Sequence, residues 1–132
     1  NLDETREYVQ MCLLAWDVGK AFHWVIESAE DKQVMGMIIA RVNAEKWELG
    51  YVLARAHWRQ GYMTEALKAI IAWALKQKEI HRVWAVCDVD NIASARVMEK
   101  IGMVREGVLK RWSLHPNLSA EPRDSFCYAI TK

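Results

Sequence analysis

Two short stretches hold residue types at spacings that suit ligand chemistry. The first is Trp58-Arg59-Gln60-Gly61-Tyr62-Met63-Thr64-Glu65, where an alternating segment gives way to a helical one. Gly61 takes backbone angles closed to other residues and lets a ligand come close to the main chain. The first turn of a helix has unpaired N–H groups and a partial positive charge. A glycine turn entering a helix is therefore either an ordinary turn or an anion cradle, most often for phosphate. The second stretch starts at Asn91, a good N-cap, with Ser94 three residues on. Ser94 falls in line with Val97 and Ile101 on the side facing the protein, so its hydroxyl needs a partner. A back-bond to a helix carbonyl is one such partner, and a group in a site is another.

The elements that position these stretches follow from periodicity. Residues 63–78 place Met63, Ala66, Leu67, Ile70, Ile71, Ala74 and Leu75 on one unbroken stripe of helical period. Residues 47–54 alternate, with Trp47, Leu49, Tyr51 and Leu53 on one face and Glu48, Gly50 and Val52 on the other. Residues 5–18 read as a helix with a ragged apolar face of Val9, Leu13, Leu14 and Trp16, stopped by Gly19. Residues 21–27 are a half-buried strand, and 34–42 an apolar strand expected to be covered on both faces. These two and 47–54 form an antiparallel meander. The strand predicted over 83–89 follows a helix, so it runs parallel to the Glu48 strand through a right-handed crossover. Asp90 or Asn91 starts a helix that Gly102 ends. Strands over 103–114 and 125–131 flank a loop holding both prolines, Pro116 and Pro122.

The predicted fold is α/β (α+β): a mixed, mostly antiparallel sheet with helices on its faces. It places both helix starts beyond the carboxyl ends of two parallel strands, where open sheets bind ligands.

A chain of 132 residues, 52% apolar, suits one domain with one sizeable core. The formal charge of +1 and the lack of a basic stripe argue against nucleic-acid or membrane binding. Cys12, Cys87 and Cys127 read as free thiols in a reducing, cytoplasmic setting. Neither they nor His23, His81 and His115 have metal-ligand spacing. His57 is an alternative base or, more simply, a surface histidine. The tryptophans read as core or cleft wall. Exposed strand edges permit a homodimer without showing one.

Residues 47–102 resemble the core of a GNAT N-acetyltransferase of the RimJ/RimL-like branch, which acetylates amino termini of ribosomal proteins. The family's first motif, Q/R-x-x-G-x-G/A, falls on Trp58-Arg59-Gln60-Gly61-Tyr62-Met63. The second falls on Asn91-Ile92-Ala93-Ser94-Ala95-Arg96-Val97-Met98-Glu99-Lys100-Ile101-Gly102-Met103. Trp58 and Met63 depart from the usual residues. The family's opening strand and helix are not found before Thr5, so a single domain over 1–132 lacking them is expected.

The resemblance implies acetyl-CoA as co-substrate, no metal, and an amine or peptide acceptor. Main-chain N–H groups of Arg59, Gln60, Gly61, Tyr62 and Met63 would hold the pyrophosphate. Asn91 would bond the pantetheine arm, and a strand N–H near Val52 or Leu53 would polarise the thioester carbonyl. Arg59 and Lys100 either reach phosphates or are solvated charges. Transfer needs an unprotonated amine; a lysine-like amine has a pKa of ~10.4 and an α-amine ~8. Glu48 is the implied base, its pKa raised by burial, or else a strand-edge carboxylate in water. Met98 stands where many relatives carry a tyrosine acid, which leaves Ser94 as the replacement. Direct transfer to a primary amine, such as a protein N-terminal α-amine, is the expected reaction. Acetylation of a small amine (aminoglycoside, polyamine or amino acid) and a non-catalytic CoA-binding module are the alternatives. Acceptor choice is expected to lie in residues 1–20 and the 115–124 loop.

Overall fold

The computed structural model describes residues 2–132; Asn1, the first residue of the 1–20 segment, lies outside them. Among the described residues the order is α1 (Leu2–Asp17), β1 (Ala21–Glu27), β2 (Val34–Asn43), β3 (Lys46–Leu53), a 3-10 turn (Arg55–His57), α2 (Tyr62–Lys76), β4 (Arg82–Asp88), α3 (Ile92–Lys100), β5 (Val104–Ser113) and β6 (Arg123–Thr131). The strands form one mixed sheet in the order β1-β2-β3-β4-β6-β5. β3 and β4 are its parallel pair, and the other neighbours run antiparallel.

The α2 stripe explains how this sheet is covered. Met63, Leu67, Ile71 and Ala74 are buried, and Ala66, Ile70 and Leu75 pack around them. They meet Ile38, Ala40, Trp47, Leu49, Val83 and Ala85 on one sheet face. α3 joins the same core through Ala95 and Met98. At the far end of the sheet Phe22, Trp24, Trp47 and Trp73 stack with ring centroids 5.4–6.4 Å apart, closed off by Trp16 of α1. Trp47 is thus core and Trp24 packs against it, with Trp16 and Trp73 at the rim, whereas Trp58 and Trp112 are exposed.

Two expectations change. β2 is fully covered on one face and partly on the other: Ile38 and Ala40 are buried toward the helices, whereas Met37 and Ile39 are half-buried and Arg41 is exposed, with Met35 buried at the start of the strand. An apolar run cannot by itself distinguish one covered face from two. The apolar face expected on α1 is also not buried; Leu13 and Leu14 are 61% and 66% exposed. α1 lies along the edge strand β1, with Trp16 against Phe22 and Tyr8 against His23. No helix among the described residues is long and apolar enough to cross a membrane.

Candidate active site

The site begins where a ladder stops. β3 and β4 pair from Lys46–Arg82 to Leu49–Ala85 and then part. β3 continues to Leu53 and β4 to Asp88 without each other. The gap opens into a cleft of about 520 Å³ lined by Leu49, Gly50, Tyr51, Cys87, Asp88, Asn91 and Ser94, with His115 and Leu118 of the β5–β6 loop across its mouth.

The two helices that start at this edge end differently at their N-termini. Gly61, the residue before α2, has φ 79° and ψ 2°, and no side chain caps the helix. Glu65 N to Gly61 O, at 3.0 Å, is the bond that closes the first turn, so the amides of Tyr62, Met63 and Thr64 precede the intrahelical ladder. Arg59 is also left-handed, at φ 62°. Backbone of this kind makes concavities of N–H groups that suit anions. The Met63 side chain turns into the core at 5% exposed, so it does not obstruct the turn. Trp58 ties the turn to the sheet: its indole N–H donates to Leu53 O at 2.7 Å, and Arg55 lies over its ring. Gln60 spends its amide on Ala56 O at 3.1 Å.

At α3, Asn91 Oδ1 accepts from Ser94 N at 3.1 Å, an ordinary side-chain cap. Asp88 supports this start. Its Oδ1 accepts from Asp90 N at 2.9 Å, and Arg123 Nε donates to its Oδ2 at 2.6 Å. Arg123 also reaches Asp90. Hydrogen bonds from Arg123 hold the Asp88 carboxyl well down, at about 2.

Ser94 does not depend on a helix carbonyl. Its Oγ is 2.5 Å from Tyr51 Oη, and the Tyr51 hydroxyl, which has one proton to give, also lies 3.3 Å from Ser94 O. Burial pushes the Tyr51 phenol up to about 12. Burial also raises the Cys87 thiol, which leaves a neutral sulfur on the cleft wall instead of a nucleophile.

The remaining expected residues are divided by the pleat. Ala54 N bonds Met35 O across to β2, so alternation turns the Val52 amide toward β2 and the Leu53 amide toward the gap. Glu48 is not buried as expected: its side chain is 32% exposed and takes Arg41 Nη1 at 3.3 Å. The cross-strand register Arg41–Glu48 sets that pair. Glu48 lies on the face opposite Leu49 and Tyr51, beside Gly50, where Arg41 Nη1 is 3.8 Å from the position of a Cβ. Lys100 is exposed at the far end of α3, roughly 13 Å along the axis from Asn91 at 1.5 Å per residue. His57 packs edge-on to Tyr62 in the turn before α2. Among the described residues no group of three or more His, Cys, Asp or Glu could hold a metal.

The cleft also holds Tyr51, Cys87, Asp88 and His115, none of which has a predicted site role. Tyr51 alone had a local signal, since alternation places it beside Leu49 at the carboxyl end of a central strand.

Residues 1–104 match the model of the acetyltransferase (GNAT) domain family. The uncharacterized N-acetyltransferase YoaA of Bacillus subtilis is 27% identical over all of this chain and 75% of its own length. The [ribosomal protein uS5]-alanine N-acetyltransferase of Escherichia coli is 26% identical over 86% of this chain and 59% of itself. The solved RimL, a ribosomal L7/L12 alpha-N-protein acetyltransferase in complex with coenzyme A, superposes with a TM-score of 0.90 at 25% identity, over 99% of this chain and 73% of RimL. The chain spans about half the length of several other curated relatives it matches.

Proposed function

This chain belongs to the GNAT acetyltransferase family, and from that premise we propose that it moves the acetyl group of acetyl-CoA onto a primary amine by direct attack in a ternary complex. The observation that carries this reading is the parting of β3 from β4 after Leu49–Ala85, next to an α2 N-terminus that no side chain caps. The residues present fit the coenzyme. The amides from Arg59 to Met63 offer donors and a positive helix end to a diphosphate. The gap beyond Leu49 has room for the pantetheine arm, and the Asn91 side chain, already capping α3, borders it. The Leu53 amide is the strand donor aimed at the oxygen on which negative charge develops. Val52 contributes its place in the strand and Gln60 a side chain that stiffens the turn.

The acceptor approaches from the face that carries Glu48. Gly50 leaves that face open beside the carboxylate, and Arg41 fixes where the carboxylate points. Glu48, directly or through one water, takes the proton the amine must lose. The amine nitrogen then bonds to the acetyl carbon, the C–S bond breaks, and its electron pair leaves on sulfur. Ser94 Oγ is the hydroxyl that meets that sulfur. The neutral Cys87 favours this direct route over an acyl-cysteine. A protein N-terminal α-amine is the acceptor we favour. The chemistry supports it, since an α-amine loses its proton more readily than a lysine. The uS5-alanine enzyme and RimL, by their names, act on such amines.

The test is thiol release from acetyl-CoA across peptides with N-terminal alanine or serine, spermidine and an aminoglycoside, with acetyl-CoA affinity read by calorimetry. The peptides are expected to turn over. Glu48→Gln is expected to lower kcat by about 100-fold with affinity unchanged. Tight acetyl-CoA binding without turnover on any acceptor, and no effect of Glu48→Gln, would instead mark a binding module. Turnover confined to spermidine or the aminoglycoside would move the acceptor to the small-amine class.

A further inference from the structure

Ser94 cannot aim its proton alone, because a serine hydroxyl rotates freely about its C–O bond. Two groups surround Ser94 Oγ in the cleft. Tyr51 Oη is 2.5 Å away on the β3 side, and the Cys87 thiol lies within hydrogen-bonding reach on the β4 side. From this we infer that Tyr51 is a positioning residue for acetyl transfer: its hydroxyl donates to Ser94 Oγ and so commits the Ser94 proton to the gap between β3 and β4, where the departing sulfur forms. The inference rests on the reading of this cleft as the acetyl-CoA site.

The direction of the Tyr51–Ser94 bond decides the outcome. If Ser94 donated to Tyr51, its proton would be withdrawn from the gap. With Tyr51 as donor, the Ser94 proton is left facing Cys87 and the opening. Burial holds the phenol neutral up to about pH 12, so it keeps its one proton, and Ser94 Oγ at 2.5 Å is a nearer acceptor for it than Ser94 O at 3.3 Å. A thiol titrates near ~8.5, far below the phenol, so full transfer to sulfur would run uphill. The phenol proton therefore stays on Tyr51 throughout. The C–S bond breaks onto sulfur, the amine proton leaves by way of Glu48, and the Ser94 hydroxyl supplies a hydrogen bond to the new thiolate. Against the neutral Cys87 sulfur, an anionic sulfur is the stronger acceptor and wins that bond as it forms. A tyrosine on β3 thus supports the departure of sulfur in a chain that has Met98 where many relatives carry a tyrosine acid.

The test is Tyr51→Phe, Ser94→Ala and the double variant, each assayed with acetyl-CoA and the best peptide acceptor of the wild type. Thermal melts check that the variants fold. Tyr51→Phe is expected to lower kcat by about tenfold, the net worth of one oriented hydrogen bond, with the KM for acetyl-CoA unchanged. In the Ser94→Ala background the same change is expected to add nearly nothing, since Tyr51 acts through Ser94. A slowly exchanging downfield hydroxyl proton in the wild-type NMR spectrum, lost in each single variant, is the accompanying signature. Equal losses in both backgrounds, or a changed KM with kcat intact, would overturn the inference and leave Tyr51 a packing residue. Unchanged kcat in Tyr51→Phe beside an active wild type sinks the Tyr51 role alone. A wild type inactive on every acceptor sinks the enzyme reading along with it.

Discussion

α2 and α3 follow the carboxyl ends of the parallel strands β3 and β4, yet their first turns are finished in opposite ways. α3 is completed from within the chain. Asn91 accepts from Ser94 N, Asp88 accepts from Asp90 N, and Arg123 locks Asp88 from β6. α2 is left open. Gly61 has no side chain to offer, and the loop before it is anchored from behind by Trp58 on Leu53 O. A capped helix end is a structural joint, because its donors are already used. An uncapped end whose approach is nonetheless held in place keeps its donors for a ligand. The difference separates the coenzyme-holding end from the end that positions Ser94.

The comparison breaks most sharply at Gly61. Gly61→Asp would put a carboxylate where a diphosphate is proposed, on backbone whose left-handed φ of 79° strains a side-chain-bearing residue. Acetyl-CoA affinity should fall about 100-fold, the worth of roughly two charge-assisted hydrogen bonds, and the melting temperature by a few degrees. Calorimetry beside a thermal melt checks both halves, and unchanged affinity would remove the diphosphate from this turn.

Asn91→Ala should weigh the other way, on stability more than on affinity. Loss of the α3 cap should cost about 1 kcal/mol of stability, a drop of several degrees in Tm, with a smaller change in acetyl-CoA affinity. A large loss of affinity with no change in Tm would make Asn91 a coenzyme ligand first and a cap second.

The last test lies in acid. The Asp88 carboxyl is depressed in the folded chain, to about 2, by Arg123. The unfolded chain therefore takes up that proton first. The stabilisation from Asp88 is complete above about pH 4, the unfolded value, and is lost as pH falls from there through about 2. Thermal melts of the wild type and Asp88→Asn should differ at neutral pH and converge toward pH 2. A gap that persists at pH 2 would show that Asp88 acts by shape instead of charge.

How much of this could be read in advance varies with the range of the interaction. The α2 stripe, the Gly61 turn and the Asn91 cap involve residues within a few positions of each other, and the predicted elements match the observed ones closely. α2 was expected over 63–78 and runs Tyr62–Lys76. The paired motifs pointed to the cleft because each is contiguous. Glu48 was misjudged because its partner depends on register. The tight turn at Ala44 and Glu45, with Ala44 at φ 54°, brings Arg41 opposite Glu48 and replaces the expected burial with an ion pair.

Helix starts, the alternation of β3 and the residue types at the Gly61 turn were settled by the chain's own order, since propensity, capping and period act between near neighbours. Folding alone settled where β3 and β4 part and which face Glu48 occupies. It also brought Tyr51 to Ser94 across 43 positions of chain. Those contacts depend on strand register and on α3 packing over the gap, and both arise only when the whole sheet closes around one core.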